Sequence, residues 1–248
     1  MNTNTKKQKE TNHLNRFVDC FKSFPIGEII PSEKPDFLIT TQNGILGIEL
    51  TQILKPGSPD GSSPQAQESL QRTILFKAKT ALRNDSVLAE IHVLFNSAEI
   101  VKKMDVDSVA QSLVDIVIRG FKENQADHFF IEESDDLEIQ LLPDCIDFIS
   151  CKRLNKTTAS FCPILSSFVH PINSRDIQRL IDSKERSRMN YSQECSYYWL
   201  ILVEDGHAPS SFLELNEDAK SNIYRTSFQK VFYFKSFEKL YYDLKVSR

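Results

Sequence analysis

Residues 34–52 read Lys34-Pro35-Asp36-Phe37-Leu38-Ile39-Thr40-Thr41-Gln42-Asn43-Gly44-Ile45-Leu46-Gly47-Ile48-Glu49-Leu50-Thr51-Gln52. Two apolar runs flank a polar Gln42-Asn43-Gly44 turn, which is the pattern of a β-hairpin. Asp36 opens the first run, and Glu49 sits inside the second among Leu46, Ile48 and Leu50. Strand residues two apart share a face, so Ile45, Gly47, Glu49 and Thr51 point one way and Leu46, Ile48 and Leu50 the other. A carboxylate embedded in an apolar strand is costly unless a cation, a metal ion or dense hydrogen bonding compensates it. On adjacent strands, Asp36 and Glu49 are placed to share one Mg²⁺, with a backbone carbonyl such as that of Leu50 as a third ligand. Magnesium favours one or two carboxylates, waters and phosphate oxygens.

Working outward, Leu14, Phe17, Val18 and Phe21 recur at helical spacing, which predicts a helix over 13–22 that Pro25 and Gly27 stop. Residues 1–12, with three lysines among Asn and Thr, read as a solvated tail. Lys55-Pro-Gly-Ser-Pro-Asp-Gly-Ser-Ser-Pro64 is a loop by its composition. Residues 65–83 read as a helix with Leu70, Ile74, Ala78 and Ala81 on one face, and Glu90–Phe95 as a buried strand. A second largely apolar helix is expected over 109–121. Short strands are expected at 137–142 and 145–150. Asn173 or Ser174 caps a further helix with Ile177, Leu180 and Ile181 inward. Tyr197–Val203 is a continuous apolar run of the kind found in a central strand. Lys230–Phe234 gives a last strand, and 237–244 a closing helix. The mixed order of helices and strands predicts an α/β fold, a central mixed β-sheet flanked by helices, in one domain over 13–248.

The chain has 248 residues, 40% hydrophobic and 26% charged, which is ordinary for a globular protein. No apolar stretch approaches the ~20 residues needed to span a bilayer, so no membrane partner is expected. The first ten residues lack the apolar segment of a secretory signal. Five scattered cysteines with no C-x-x-C pair indicate reduced thiols and a cytoplasmic location rather than a zinc or redox motif. A net charge of -4 argues against nonspecific coating of nucleic acid, though not against a basic cleft. No G-x-S-x-G elbow, P-loop or G-x-G-x-x-G is present.

Pro35-Asp36, followed thirteen positions on by Glu49-x-Thr51, resembles the signature of the PD-(D/E)xK nuclease superfamily, the restriction-endonuclease-like fold. That family's core is a helix, a hairpin with an adjoining strand, a second helix and another strand, the order expected here. The resemblance implies Mg²⁺ or Mn²⁺ held by Asp36 and Glu49, with Glu28 or Glu33 as a supporting acid. It also implies phosphodiester hydrolysis of nucleic acid, DNA before RNA, with a homodimer left open. The family's third motif position is normally lysine, and here it is the uncharged Thr51. A lysine from a neighbouring element is therefore sought. Lys184, seven residues after Ile177, ranks first, and Lys77, seven after Leu70, ranks second.

Structural roles compete with each of these. Asp36 suits a turn after Pro35, Glu49 could pair with a buried cation, and Thr51 is at home in any strand. Lys184 could snorkel from the edge of an apolar face. The basic cluster 184–188 suits a helix C-terminus, and Lys152, Arg153 and Lys156 suit a solvated loop. His92 and the aromatics 197–199 read as packed residues. The missing lysine and acidic balance also fit a second class: an inactive nuclease-like fold serving as a binding, immunity or regulatory module.

Overall fold

The hairpin forms over Phe37–Thr41 and Gly44–Gln52 in a computed structural model that describes residues 3–55, 63–82, 88–96, 99–132, 142–154, 159–164, 169–191 and 194–248. In chain order the elements begin with α1 (Thr3–Cys20), β1 (Ile29–Pro31), β2 (Phe37–Thr41) and β3 (Gly44–Gln52). Next come α2 (Pro64–Leu82), β4 (Ala89–Phe95), α3 (Val106–Glu123), β5 (His128–Glu132), β6 (Ile146–Arg153) and β7 (Ser160–Pro163). The last part holds β8 (His170–Ile172), α4 (Ser174–Arg188), β9 (Tyr197–Glu204), β10 (Leu213–Leu215), α5 (Glu217–Ser221), β11 (Ile223–Arg225), β12 (Lys230–Lys235) and β13 (Leu240–Ser247). Where the sequence suggests one domain over 13–248, the chain divides into two compact units, 1–55 with 167–248 and 56–166.

The first unit is built on a seven-stranded mixed sheet in the order β1-β2-β3-β9-β12-β13-β11. β3, β9 and β12 run parallel, while β2 against β3 and β12 against β13 are antiparallel. The alternation of β3 and β9 sorts two cores. Leu46, Ile48, Leu50, Trp199, Ile201 and Val203 meet Leu14 and Phe17 of α1 and Phe21 just after it on one face. Leu200 and Leu202 meet Ile177 and Ile181 of α4 on the other. β9 is therefore buried on both sides, as a continuous apolar run requires. Phe17 is fully buried and touches the rings of Phe21, Phe24, Phe232, Phe234 and Tyr241, which anchors α1. Truncating such a side chain costs about 3–5 kcal/mol.

Gly47 has a packing reason: a Cβ there would lie 2.8 Å from Tyr198 Cδ1 and 2.9 Å from Pro35 Cγ. Gly44, after the hairpin turn, has φ +110°, which favours glycine. α4 starts on a capping box: the Asn173 side chain accepts from the Asp176 N–H, and the Asp176 carboxylate from the Asn173 N–H.

Two expectations are corrected in this unit. α1 begins at Thr3, so residues 3–12 are helical rather than a tail; Glu10 pairs with Lys6 and Lys7 one turn away. The closing helix over 237–244 is instead a turn, with Lys239 at φ 55°, followed by β13. Its apolar residues fit both periods, but Tyr242, Leu244 and Val246 pack into one core at period two, and pairing with β12 decides it.

In the second unit, α2 and α3 share a core with a four-stranded sheet ordered β5-β6-β4-β7. Ile74, Leu75, Ala78 and Leu82 are the buried residues of α2, so Ala81 is not on its inner face. Cys145 precedes β6, which runs to Arg153. The expected strand over 137–142 lies almost wholly outside the described residues, as does most of the 55–64 loop and Lys156.

Candidate active site

Asp36 immediately precedes β2, and Glu49 lies in β3 on the face covered by α4. Both are buried, each 7% exposed. They line one pocket of about 440 Å³ in the first unit. α1 contributes Lys6, Lys9, Glu10 and His13 to its wall, the end of β3 contributes Glu49 to Gln52, and α4 with the segment after it contributes Lys184, Ser187, Asn190 and Tyr191.

Each carboxylate is held by particular donors. The Leu50 N–H donates to Asp36 Oδ2 at 2.8 Å. A strand residue sends its N–H and C=O to the same edge, so the Leu50 carbonyl also faces the Asp36 side. Lys184 Nζ donates to Glu49 Oε1 at 2.9 Å, and the Tyr191 hydroxyl donates to Oε2 at 2.7 Å. Lys7 Nζ donates to the carbonyls of Ser32 and Asp36 at 2.6 and 3.3 Å, and lies 3.9 Å from Asp36 Oδ1. α1 thereby clamps the segment that carries Asp36.

Burial, and next the charge of Glu49, push the Asp36 carboxyl up to about 7, against the pull of the Leu50 N–H. The two acids therefore feel each other across the pocket. Burial and the same glutamate also drive the Tyr191 hydroxyl far up, so it remains a donor. Thr51 Oγ1 is buried with no hydrogen-bond partner.

The sequence candidates are distributed unevenly. Asp36, Glu49, Thr51, Lys184 and Glu33 come together at the pocket. Glu28 does not: it is exposed beyond the end of α1 and outside the pocket wall, and Glu10 is the acid that α1 supplies instead. Lys77 lies in the second unit, where it pairs with Asp107. Arg153 caps backbone carbonyls of Phe121 and Asn124, and Arg188 lies over the Tyr198 ring, so both have structural roles. Trp199 is packed, while His92 is half-exposed and paired with Glu90. The five cysteines form no disulfide.

Among the pocket residues, sequence reasoning gave no role to Glu10, His13 and Tyr191. The signal for the first two was helical phase: Glu10 and His13 continue the Leu14–Phe17–Phe21 repeat towards the N-terminus. Tyr191 continues the seven-residue step from Ile177 through Lys184, although α4 itself ends three residues before it.

Among the described residues, no group of three or more His, Cys, Asp or Glu side chains is arranged to hold a metal ion, and no helix is long and apolar enough to cross a membrane. Two carboxylates and a carbonyl are nevertheless a donor set of the kind Mg²⁺ accepts, since it keeps several waters. Comparison with protein-family models, curated proteins and solved structures finds no match.

Proposed function

We propose that the first unit is a metal-dependent nuclease of the PD-(D/E)xK type, acting on DNA in preference to RNA, with a restriction-endonuclease-like core. The single observation that carries this reading is the contact of Lys184 with Glu49 in the pocket that Asp36 lines. In this reading Lys184 of α4 supports the acid site with the charge that Thr51 lacks. The order α1, β1–β2–β3, α4, β9, with β9 parallel to β3, supports the same core.

In this reading Asp36, Glu49 and the Leu50 carbonyl would hold Mg²⁺ or Mn²⁺. The ion supplies Lewis-acid stabilisation of a phosphodiester and a more acidic bound water. Glu10 adds negative charge on the α1 side. Lys184 holds Glu49 in place and presents an ammonium beside the position of an attacking water. Tyr191 fixes the second Glu49 oxygen. Thr51 Oγ1, buried and unpartnered, is available to that water or to a phosphate oxygen.

A second reading is favoured by one observation: both Glu49 oxygens already accept hydrogen bonds from protein donors. An inactive module would use that arrangement as a buried ion pair alone. A Mg²⁺ and Mn²⁺ titration with supercoiled plasmid separates the two. Metal-dependent nicking that disappears in Glu49→Gln supports the nuclease; intact plasmid at every metal concentration supports the module.

A further inference from the structure

Only two buried side-chain polar atoms among the described residues lack a hydrogen-bond partner, Thr51 Oγ1 and His13 Nε2, and both residues line the same pocket. His13 is 8% exposed. Its Nδ1 lies 2.9 Å from Ser236 Oγ, which fixes the ring, while Nε2 is 3.8 Å from Asp205 Oδ1, too long for a hydrogen bond. Leaving such a nitrogen unsatisfied is unfavourable, and a pocket wall is where a ligand would relieve it.

The neighbourhood identifies the ligand's chemistry. Lys9, one turn before His13, directs its ammonium to Asp205 Oδ2 at 2.7 Å and to Gln52 Oε1 at 3.2 Å. Lys6 lies on the same face of α1. The α1 wall thus carries an imidazole, two ammonium groups and one acid, Glu10, which pairs with Lys6 at 3.3 Å, while Asp205 behind the wall is held by Lys9. We infer that His13 and Lys9 form a phosphate subsite, which takes a backbone phosphate flanking the one that would be cut at Asp36 and Glu49. Lys9 meets the anion first, being half-exposed on a flexible stem. His13 Nε2 then donates to a phosphate oxygen, with a small side-chain adjustment to open it. The inference rests on the nuclease reading, because it assumes a nucleic-acid backbone in the pocket.

The test is binding of a short labelled DNA duplex in EDTA, where no metal supports cleavage, with parallel plasmid cleavage in Mg²⁺. His13→Leu keeps the volume and removes the donor, so it should weaken binding about tenfold, the loss of one charge-assisted hydrogen bond. His13→Gln carries an amide N–H close to the same place and should recover most of that loss. A methylphosphonate at one backbone position should weaken the wild type by a similar factor and leave His13→Leu unchanged. Binding by His13→Leu equal to wild type, or a methylphosphonate loss that adds to the variant's at every position, overturns the subsite. If wild-type protein cuts plasmid while both variants bind normally, only the subsite fails. If wild-type protein neither binds nor cuts, the nuclease reading fails, and the subsite with it.

Discussion

Lys184 Nζ lies 2.9 Å from Glu49 Oε1 although 135 positions separate the two residues. One ammonium therefore neutralises a buried carboxylate and repels any cation brought to it. Removing it should move metal binding and catalysis in opposite directions. Lys184→Ala is expected to bind Mn²⁺ more tightly by calorimetry and to lose about 10²–10⁴-fold in single-turnover cleavage. A lysine with only a structural role would lower the melting temperature and change neither quantity in this way.

Thr51 allows the complementary experiment. If the proposed nuclease reading is right, a lysine at this position would put the charge that Thr51 lacks beside Glu49, so Thr51→Lys in the Lys184→Ala background should recover part of the lost cleavage. Thr51→Val, which removes an unpartnered buried hydroxyl, should stabilise the metal-free protein by roughly 1 kcal/mol in denaturant unfolding.

Asp36 predicts a pH dependence with a definite sign. Its carboxyl ionises near 3.8 in the unfolded chain and near 7 in the fold. Between these values the folded state holds a proton that the unfolded state has released, so the contribution present below about 4 is lost as pH rises through 7. In EDTA the melting temperature should fall across that window, and Asp36→Asn should flatten the slope. Metal binding needs the ionised form, so Mg²⁺ should stabilise the protein far more at pH 8 than at pH 5.

Tyr191 should act through Glu49. Tyr191→Phe deletes one hydrogen bond to a charged acceptor, about 1.5–3 kcal/mol when buried. The expected result is a raised metal requirement for half-maximal cleavage with a smaller change in the maximal rate. An unchanged metal requirement would leave Tyr191 as a packing residue against Tyr198.

The parts of this site that the sequence shows best are those governed by short-range periodicity. The β2–β3 alternation sets which residues face the acids, and the seven-residue step from Ile177 puts Lys184 on the inward face of α4. Three features escape such reasoning. The first half of α1 carries no apolar residues, because its inner face lines a polar pocket, and so Glu10 reads as tail and His13 only as the first residue of the helix. Phe237, Leu240, Tyr241 and Leu244 satisfy helical spacing as well as strand spacing, so only pairing with β12 distinguishes β13. The unit over 56–166 sits between β3 and β8 without a change in composition, so its borders resemble ordinary loops.

Everything proposed for this pocket depends on Asp36 and Glu49 sharing one divalent metal ion. The most direct test of that shared site is a Mn²⁺ titration of wild-type protein, Asp36→Asn and Glu49→Gln at pH 8, followed by electron paramagnetic resonance. One bound ion per chain is expected in the wild type and loss of that binding in each variant, with all three still folded. Absence of binding in the wild type, or binding that both variants retain, would contradict the shared site.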